Sequence, residues 1–452
     1  MKKLLLLVLA VICFAPCTQI AAMEHSTTQN IPNNQIWYTS SDGNVVTPNK
    51  TYYVFGATIK SNTYSNGKGI ITFDGDVTMI GDDAFNNCDK FTGVTLPESV
   101  TSIGKKAFSD CDGLTEFTIP DSVTEIGGGA FRNCDSLTSV NIPDSVTTIG
   151  EGAFYYCTSL KSVNIPNSIT TIEAWAFYYC TSLTSVNIPD SVTTIGEGAF
   201  AYCYSLTSVN IPDSVTTIGN YAFSYCTSLT EFTGKFAEDN GRILVVDGVL
   251  TAFAPAGITQ YTIPDSVMTI GDYTFYSCDR LTSVNIPDSV TTIGYDAFTD
   301  CTSLKKVYCY ASIPPSLGDG AFSSNASGRR IYVYEECVEL YKSAWSSYND
   351  SIFTNGENCP DTTTIEYTTN DGNIVTTRNM PVVSNIYENG VGTLVFSSKE
   401  IPSSAFCECT SLTSVTIGDS VTSIGETAFA YCDSLTSVNI PDSVTKIGNY
   451  AF

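Results

Sequence analysis

Histidine is almost absent from this sequence, whose 452 residues include only His25. A Ser/His/Asp triad or a Cys/His pair needs a histidine that the fold holds beside the nucleophile, and His25 lies in a polar stretch near the amino terminus. A two-carboxylate glycosidase needs no histidine, but the acidic residues follow a repeat period and no unique pair stands out. The sequence therefore predicts no enzyme, no catalytic residue and no cofactor.

Positive charge is also scarce, with 21 Lys and Arg against 46 Asp and Glu and a net charge of -25. Nucleic-acid affinity comes largely from cations that displace counterions from phosphates, so nucleic acid is not an expected partner. Metal-binding C-x-x-C pairs are missing too. The two cysteines nearest to each other in sequence, Cys407 and Cys409, are separated by one residue rather than two. We therefore predict no metal site.

Long apolar runs are confined to the amino terminus. Two lysines precede the apolar run from Leu4 to Ala15, and small residues end the segment at Ala21 and Ala22. This order is typical of a secretory signal peptide, and the run is too short to cross a bilayer comfortably. We expect residues 1–22 to be removed, the mature chain to have no transmembrane segment, and the protein to be extracellular or on the cell surface. A lipid anchor at Cys17 is a less favoured alternative.

What the sequence does contain is a period of 23 residues, and a fixed period of this length marks a repeat architecture. Eleven units carry a cysteine at the same place: Cys88, Cys111, Cys134, Cys157, Cys180, Cys203, Cys226, Cys278, Cys301, Cys409 and Cys432.

One unit shows how the repeat folds. Val140 and Ile142 alternate with polar residues, which predicts a short strand with one buried face, and Pro143 ends it. A second apolar pair, Val146 and Ile149, predicts an opposite wall. One coil cannot bury these residues alone, whereas stacked coils share a core and pair their strands in parallel. We therefore expect a mainly β solenoid, with short parallel strands on both walls and little helix.

The unit Leu-Thr-Ser-Val-Asn-Ile-Pro-Asp-Ser-Val-Thr-Thr-Ile-Gly-x-x-Ala-Phe-x-x-Cys resembles the 23-residue leucine-rich repeat of BspA-like bacterial surface proteins over most of residues 70–452. It departs from the commonest leucine-rich pattern, since Ser145 stands where that pattern has Asn or Cys and the cysteine precedes the strand. This favours the BspA-like subclass over horseshoes with long helices.

The arrays have predicted boundaries. We expect entry strands in 23–69, a first array in 70–355 with a β-hairpin insertion at about 233–261 around Asp247-Gly248, and a cap at about 305–355 with a short helix at 338–345. A linker at 356–364 precedes a second array in 365–452. Residues 365–376, at the start of the second array, are identical to residues 36–47 at eight of twelve positions. The second array stops in mid-repeat at Phe452, so we expect it to be truncated.

The repeated cysteines have three interpretations. Stacked positions come close enough for disulfides, but a single column must pair alternately and a run of seven leaves one over. We favour a ladder of buried free thiols over disulfides, and disulfides over a metal site. The aspartates after proline, namely Asp121, Asp144, Asp190 and Asp213, suit Ca²⁺ in principle, but we favour exposed turns that they stabilise by local hydrogen bonds.

Two surfaces are candidates for binding. The first is a strip of aromatic residues limited to the middle units: Tyr155, Tyr156, Tyr178, Tyr179, Tyr202, Tyr225 and Trp175. These rings suit a sugar or a protein partner, but mutual packing explains them as well, and we favour packing. The second is the solvated face of the main sheet, with Asn141, Asn164, Asn187 and Asn210.

The resemblance implies a function that the residues alone do not. BspA-like proteins are associated with the bacterial surface and with adhesion to other cells and to host matrix proteins such as fibronectin and fibrinogen. We therefore expect a secreted or surface-bound scaffold that binds a host matrix or cell-surface protein. Two alternatives stay open, namely a glycan-binding module that uses the tyrosines and a spacer for a missing carboxy-terminal domain.

Overall fold

The computed structural model describes residues 31–49, 54–356, 363–380, 382–396 and 398–452. The predicted signal peptide and His25 lie outside the described residues. The first part of the chain contains β1 (Gln35–Ser40), β2 (Ile59–Ser65), β3 (Lys68–Phe73), β4 (Met79–Ile80), β5 (Phe91–Thr95), β6 (Ser102–Ile103), β7 (Glu116–Thr118), β8 (Glu125–Ile126), β9 (Ser139–Asn141), β10 (Thr148–Ile149), β11 (Ser162–Asn164), β12 (Thr171–Ile172), β13 (Ser185–Asn187), β14 (Thr194–Ile195), β15 (Ser208–Ile211), β16 (Thr217–Ile218) and β17 (Glu231–Gly234).

These strands form two walls, as the repeat pattern predicts. The longer strands β5, β7, β9, β11 and β13 pair in parallel on one wall, and the two-residue strands pair in parallel on the other. Val163 lies in register with Val140 and Val186, so each residue meets its equivalent one period away. The predicted mainly β solenoid is confirmed. The entry strands β1, β3 and β2 extend the first wall, with β1 antiparallel to β5.

The core between the walls is a ladder of identical side chains. Phenylalanines one period apart stack with centroids 5.2 to 5.6 Å apart and nearly parallel planes, in the order Phe85, Phe108, Phe131, Phe154, Phe177, Phe200 and Phe223. All of them are buried. The exact period therefore converts one favourable aromatic contact into a continuous column.

The insertion contains β18 (Ala237–Glu238), β19 (Ile243–Val246) and β20 (Val249–Phe253). Asp247 and Gly248 both have positive φ, 51° and 77°, as a two-residue hairpin turn between antiparallel strands requires. The predicted hairpin is confirmed, with β18 as an unpredicted third strand. Since β20 pairs in parallel with the strand at Thr269–Ile270, it takes the place of a second-wall strand and the solenoid continues.

The first array then continues and closes with a helix. Its elements are β21 (Gln260–Thr262), β22 (Thr269–Ile270), β23 (Ser283–Ile286), β24 (Thr292–Ile293), β25 (Lys306–Cys309), β26 (Ser316–Leu317), β27 (Arg330–Val333), a 3-10 helix (Glu335–Cys337), α1 (Val338–Ala344), a second 3-10 helix (Ser346–Ser351) and β28 (Ile352–Thr354). The helix expected at 338–345 is found. Tyr341 donates to the carbonyl of Ala311 at 2.8 Å, and Trp345 donates to that of Pro315 at 2.8 Å, which anchors α1 on the last coils.

The second array begins with a copy of the entry strands. It comprises β29 (Thr363–Thr369), β30 (Val382–Glu388), β31 (Val391–Phe396), β32 (Glu400–Ile401), β33 (Leu412–Ile417), β34 (Ser423–Ile424), β35 (Ser437–Asn439) and β36 (Lys446–Ile447). Strand β29 starts inside the expected linker. The Tyr38 hydroxyl donates to Asn62 Oδ1 at 2.8 Å and the Tyr367 hydroxyl to Asn385 Oδ1 at 2.5 Å, so the sequence echo reflects one repeated packing arrangement.

One repeat position requires glycine, because there the backbones of adjacent coils nearly touch. A Cβ on Gly150 would lie 2.5 Å from the backbone nitrogen of Gly128. Its amide donates to the carbonyl of Ile126 at 2.8 Å, and Gly196 bonds likewise to Ile172. The next unit after Gly150 carries Glu173 at this position, and within the described range 54–356 the second wall is interrupted there, between β10 and β12. A side chain at this position therefore separates the second-wall strands of two coils that stay joined elsewhere.

This explanation predicts the effect of replacing Glu173 by glycine. We expect Glu173→Gly to let the amide of residue 173 bond to the carbonyl of Ile149, which joins β10 to β12. The gain from a hydrogen bond, about 1 kcal/mol, is close to the conformational cost of a glycine, so global stability should change little. Hydrogen exchange of short peptides, read by mass spectrometry, should instead show slower exchange around residue 173. Equal exchange at residues 150 and 173 of the unmodified protein would contradict the explanation.

Candidate functional site

The aromatic residues singled out in the sequence come together on the turn segment that joins the second wall to the repeat cysteine. The ring centroids of Tyr156 and Tyr179 lie 4.2 Å apart, and those of Tyr202 and Tyr225 lie 3.9 Å apart, with both pairs stacked. Tyr155 stacks on Tyr178 at 4.8 Å. All of these rings are half-buried. We call this surface the tyrosine strip.

Trp175 also belongs to the tyrosine strip, with its ring 5.2 Å from Tyr178 and 5.3 Å from Tyr221. Sequence reasoning missed five tyrosines that extend the strip across the insertion: Tyr204, Tyr221, Tyr273, Tyr276 and Tyr295. The signal was available for three of them. Tyr221 and Tyr273 precede their repeat cysteine by five residues, as Trp175 does, and Tyr276 precedes its cysteine by two, as Tyr155 and Tyr178 do.

Tyrosine occupies an unusual backbone position in the strip. Tyr156, Tyr179, Tyr202 and Tyr225 all have φ of 61° or 62°, in the left-handed region. Asn and Asp tolerate this conformation best after glycine, and the flanking units place Asn133 and Asp300 there. A bulky residue in this conformation costs on the order of 1 kcal/mol. The four rings are therefore held at positions where the backbone would prefer a smaller polar residue.

The strip is electrically neutral at its centre. Burial raises the pKa of the Tyr204 hydroxyl to about 12, with a further contribution from its interaction with Tyr179. Burial also raises the pKa of Tyr202 and Tyr225. One cation lies on it, since the Arg132 guanidinium is 4.8 Å from the Tyr155 ring centroid. The strip thus offers phenol hydroxyls and ring edges that stay uncharged at physiological pH.

The other candidate residues lie elsewhere. Asn141, Asn164 and Asn187 are exposed on the first wall, in register with one another, and Asn210 follows on β15. They occupy a strand and the tyrosines a turn segment, so the two candidate surfaces are on different sides of the coil. The aspartates after proline are exposed in turns. Among the described residues, no group of three or more His, Cys, Asp or Glu side chains is arranged to hold a metal ion.

The repeat cysteines line the core beside the phenylalanines. All 14 cysteines of the described part are free, and the repeat cysteines of the first array are buried. Most of their thiols donate to a phenylalanine carbonyl of the preceding coil, as Cys157 does to Phe131 at 3.1 Å and Cys180 to Phe154 at 3.3 Å. Burial raises the pKa of Cys226 to about 12 and holds that of Cys157 well above its ordinary value. In the second array, Cys407, Cys409 and Cys432 are half-buried.

Thiol labelling tests the ladder. Because the thiolate is the reactive form, we expect Cys157 and Cys180 of the folded protein to resist a maleimide at about pH 8. They should react fully once guanidinium unfolds the chain, whereas the half-buried Cys407 serves as the control that reacts in the folded state. Mass spectrometry of peptides prepared without reductant reports each site. Rapid native labelling of Cys157, or a disulfide-linked peptide joining it to Cys180, would refute the ladder.

Alkaline titration tests the neutrality of the strip. Burial raises the pKa of Tyr202, Tyr204 and Tyr225 above the unfolded value of about 10, so their contribution to stability is fully present below that pH and is lost as pH rises through the folded pKa. Phenolate absorbance should rise later in the folded than in the unfolded protein, and Tyr202→Phe should remove part of the delayed fraction. Coincident titration of the folded and unfolded chains would contradict this expectation.

Comparisons with known proteins place this geometry in a family. A profile described as the BspA type leucine rich repeat region matches six copies over residues 57–180, 147–237, 250–369 and 394–452. No match was found among curated proteins. The structure contains no helix long and apolar enough to cross a membrane within its described residues.

Solved structures of bacterial repeat proteins are similar as well. A leucine rich cell surface protein from Faecalibacterium prausnitzii is 30% identical over 84% of this chain and 86% of its own, with a TM-score of 0.49. A leucine-rich repeat protein from Bacteroides ovatus is 26% identical over 82% and 72%, with a TM-score of 0.40. The pneumococcal vaccine antigen PcpA is 16% identical over 66% and 98%, with a TM-score of 0.37. Because the family profile matches most of its residues, this chain belongs to the BspA type leucine-rich-repeat family.

Proposed function

We propose that this chain is an adhesin, secreted or held at a bacterial surface, which binds a host matrix protein or a protein on another cell through the tyrosine strip. The observation that carries the proposal is the strip itself, a continuous half-exposed aromatic surface across several coils of a regular scaffold. Tyrosine is enriched at the energetic centres of protein interfaces because it combines a rigid apolar ring with a polar tip. A regular repeat scaffold that repeats one surface position over several coils fits a binding role.

The backbone conformation supports an outward role for these rings. Packing alone does not require tyrosine at a left-handed position, because Asn133 and Asp110 occupy the same position in neighbouring coils with the same phenylalanine ladder. Ring stacking stabilises the fold by about 0.5 to 1.5 kcal/mol per pair, which is similar to the cost of the left-handed backbone conformation. A tyrosine at this position is therefore not required to build the coil.

The orientation of the rings favours a protein over a glycan. Tyr202 and Tyr225 lie face to face, as do Tyr156 and Tyr179, so each pair covers two of its own faces. A sugar ring stacks on an uncovered face, whereas a protein partner can use edges and hydroxyls equally well. One ring supports the glycan-binding alternative instead. The plane of Tyr204 is tilted by 75° from that of Tyr179 and by 83° from that of Tyr202, so neither neighbour stacks on its faces.

A substitution to asparagine tests the proposal while respecting the backbone. In a variant with Tyr156→Asn, Tyr179→Asn, Tyr202→Asn and Tyr225→Asn, each new residue is one that adjacent coils already accept in this conformation. We expect it to fold and to bind immobilised fibronectin, fibrinogen or cells at least about tenfold more weakly, since tyrosine is enriched among the few interface residues whose loss costs about 2 kcal/mol or more. Surface plasmon resonance gives the affinity, and circular dichroism confirms the fold.

A matched variant with Asn141→Ser, Asn164→Ser, Asn187→Ser and Asn210→Ser makes the same number of changes on the first wall and should bind normally. Undiminished binding by the folded asparagine variant would contradict a role for the strip. Saturable binding to neutral glycans alone, lost in that variant and in Tyr204→Ser, would favour the glycan module. No binding of any kind by the folded protein would favour the spacer.

A further inference from the structure

A second surface lies on strands rather than on the turn segment that carries the tyrosine strip, in the sheet ordered β21, β23, β25, β27 and β28. Its solvent-facing residues change character along the sheet. Strand β23 presents Ser283 and Asn285, whereas the residues in register on β25 are Lys306 and Tyr308. Strand β27 then presents Arg330 and Tyr332 at the same positions. Small neutral residues thus give way to cations and aromatic rings at one end of the sheet.

The change in side-chain size opens a groove. Tyr308 stacks on Tyr332 with centroids 5.0 Å apart and planes at 17°, so one face of its ring is covered. On the β23 side its register partner is the smaller Asn285. A groove of about 490 Å³ opens there, lined among others by Lys305, Lys306, Tyr308, Asn285 and Ser283. The groove therefore places two cations, one ring face and several hydrogen-bonding groups around one volume.

The groove concentrates positive charge in a chain that is mostly acidic. The chain has 21 basic residues against 46 acidic ones, yet Lys305 and Lys306 are adjacent and both exposed. The side-chain ion pairs found in the described part of the chain involve Lys90, Lys342 and Arg378, not these two lysines. The nearby Arg329 is different, because it donates to Asn325 Oδ1 and holds the cap together. Lys305 and Lys306 are thus available to a ligand.

We propose that this groove binds an acidic glycan, that is, a sugar chain carrying carboxylate or sulfate groups. The acidic group pairs with Lys305 and Lys306, and a sugar ring packs on the open face of Tyr308. Ser283 and Asn285 supply hydrogen-bonding partners for sugar hydroxyls. Charge complementarity supports this occupant, because at physiological salt the Debye length is about 8 Å and the distant negative charge of the scaffold is screened.

The surrounding residues favour a sugar over a nucleic acid. Serine, threonine, glutamine and asparagine at the outward positions of β21 and β23 match a ligand rich in hydroxyl groups. A single-stranded nucleic acid needs a track of cations and successive rings on which its bases stack, and the face-to-face pair Tyr308 and Tyr332 leaves no space between its rings. The acidic glycan is therefore the occupant to test first.

Affinity electrophoresis and calorimetry of the whole chain with four probes test the proposal. The probes are polygalacturonate for carboxylates, heparin for sulfates, dextran as a neutral glycan, and single-stranded oligodeoxythymidylate. We expect binding to one or both acidic glycans, weakening as salt rises, and no binding to dextran. The double variant Lys305→Gln/Lys306→Gln should bind about tenfold more weakly, since two exposed charged contacts together contribute on the order of 1 kcal/mol or more.

The control variant Lys399→Gln/Lys446→Gln removes the same charge from exposed sites of the second array and should bind like the unmodified protein. Tyr308→Phe should retain binding because the ring remains, whereas Tyr308→Ser should lose it; the lysine variants decide the outcome if Tyr308→Ser fails to fold. The proposal is overturned if neither acidic glycan binds, if only the oligonucleotide binds, or if both lysine double variants weaken binding equally.

Discussion

Every feature of this molecule depends on one constraint, namely that successive coils stack with each residue directly against its own equivalent. The constraint follows from the coil's inability to bury its apolar side chains alone. It converts a single phenylalanine into a ladder in which Phe154 meets Phe131 and Phe177 with nearly parallel planes. It also means that an unfavourable residue in one coil disturbs the pairing of that coil with its neighbour. Glu173 shows this, since one side chain at a glycine position accompanies an interrupted wall.

The same constraint leaves the outward positions free to vary in blocks. A position that faces solvent in one coil faces solvent in all, so a run of substitutions over adjacent coils creates a continuous surface rather than scattered residues. The tyrosine strip arises this way on the turn segment, and the groove beside Tyr308 arises this way on the sheet. The two surfaces differ in chemistry. The strip is uncharged at its centre and its rings are largely stacked in pairs, whereas the groove combines two cations with an open ring face.

The period explains why so much of the fold was predictable. Any property read from one unit, such as the buried Val140 or the turn after Pro143, applies to all units, and the Asp247-Gly248 turn is a local signal that needs no tertiary context. Features that depend on contacts between unlike segments were not predictable. Strand β18 forms only because it pairs with β19, and Tyr204 belongs to the strip only because its ring meets Tyr179 of the preceding coil.

The repeat cysteines show the limit of distance arguments. Parallel strands about 4.8 Å apart bring equivalent Cα atoms within the range that disulfides span, so spacing alone does not keep the thiols reduced. Two other properties of the column do. Disulfide formation needs a thiolate, and burial raises the thiol pKa. Most of these thiols also donate to a phenylalanine carbonyl of the preceding coil, as Cys157 does to Phe131, and a disulfide would remove that hydrogen bond between coils. The free thiol is therefore part of the mechanism by which one coil is held on the next, alongside the aromatic ladder.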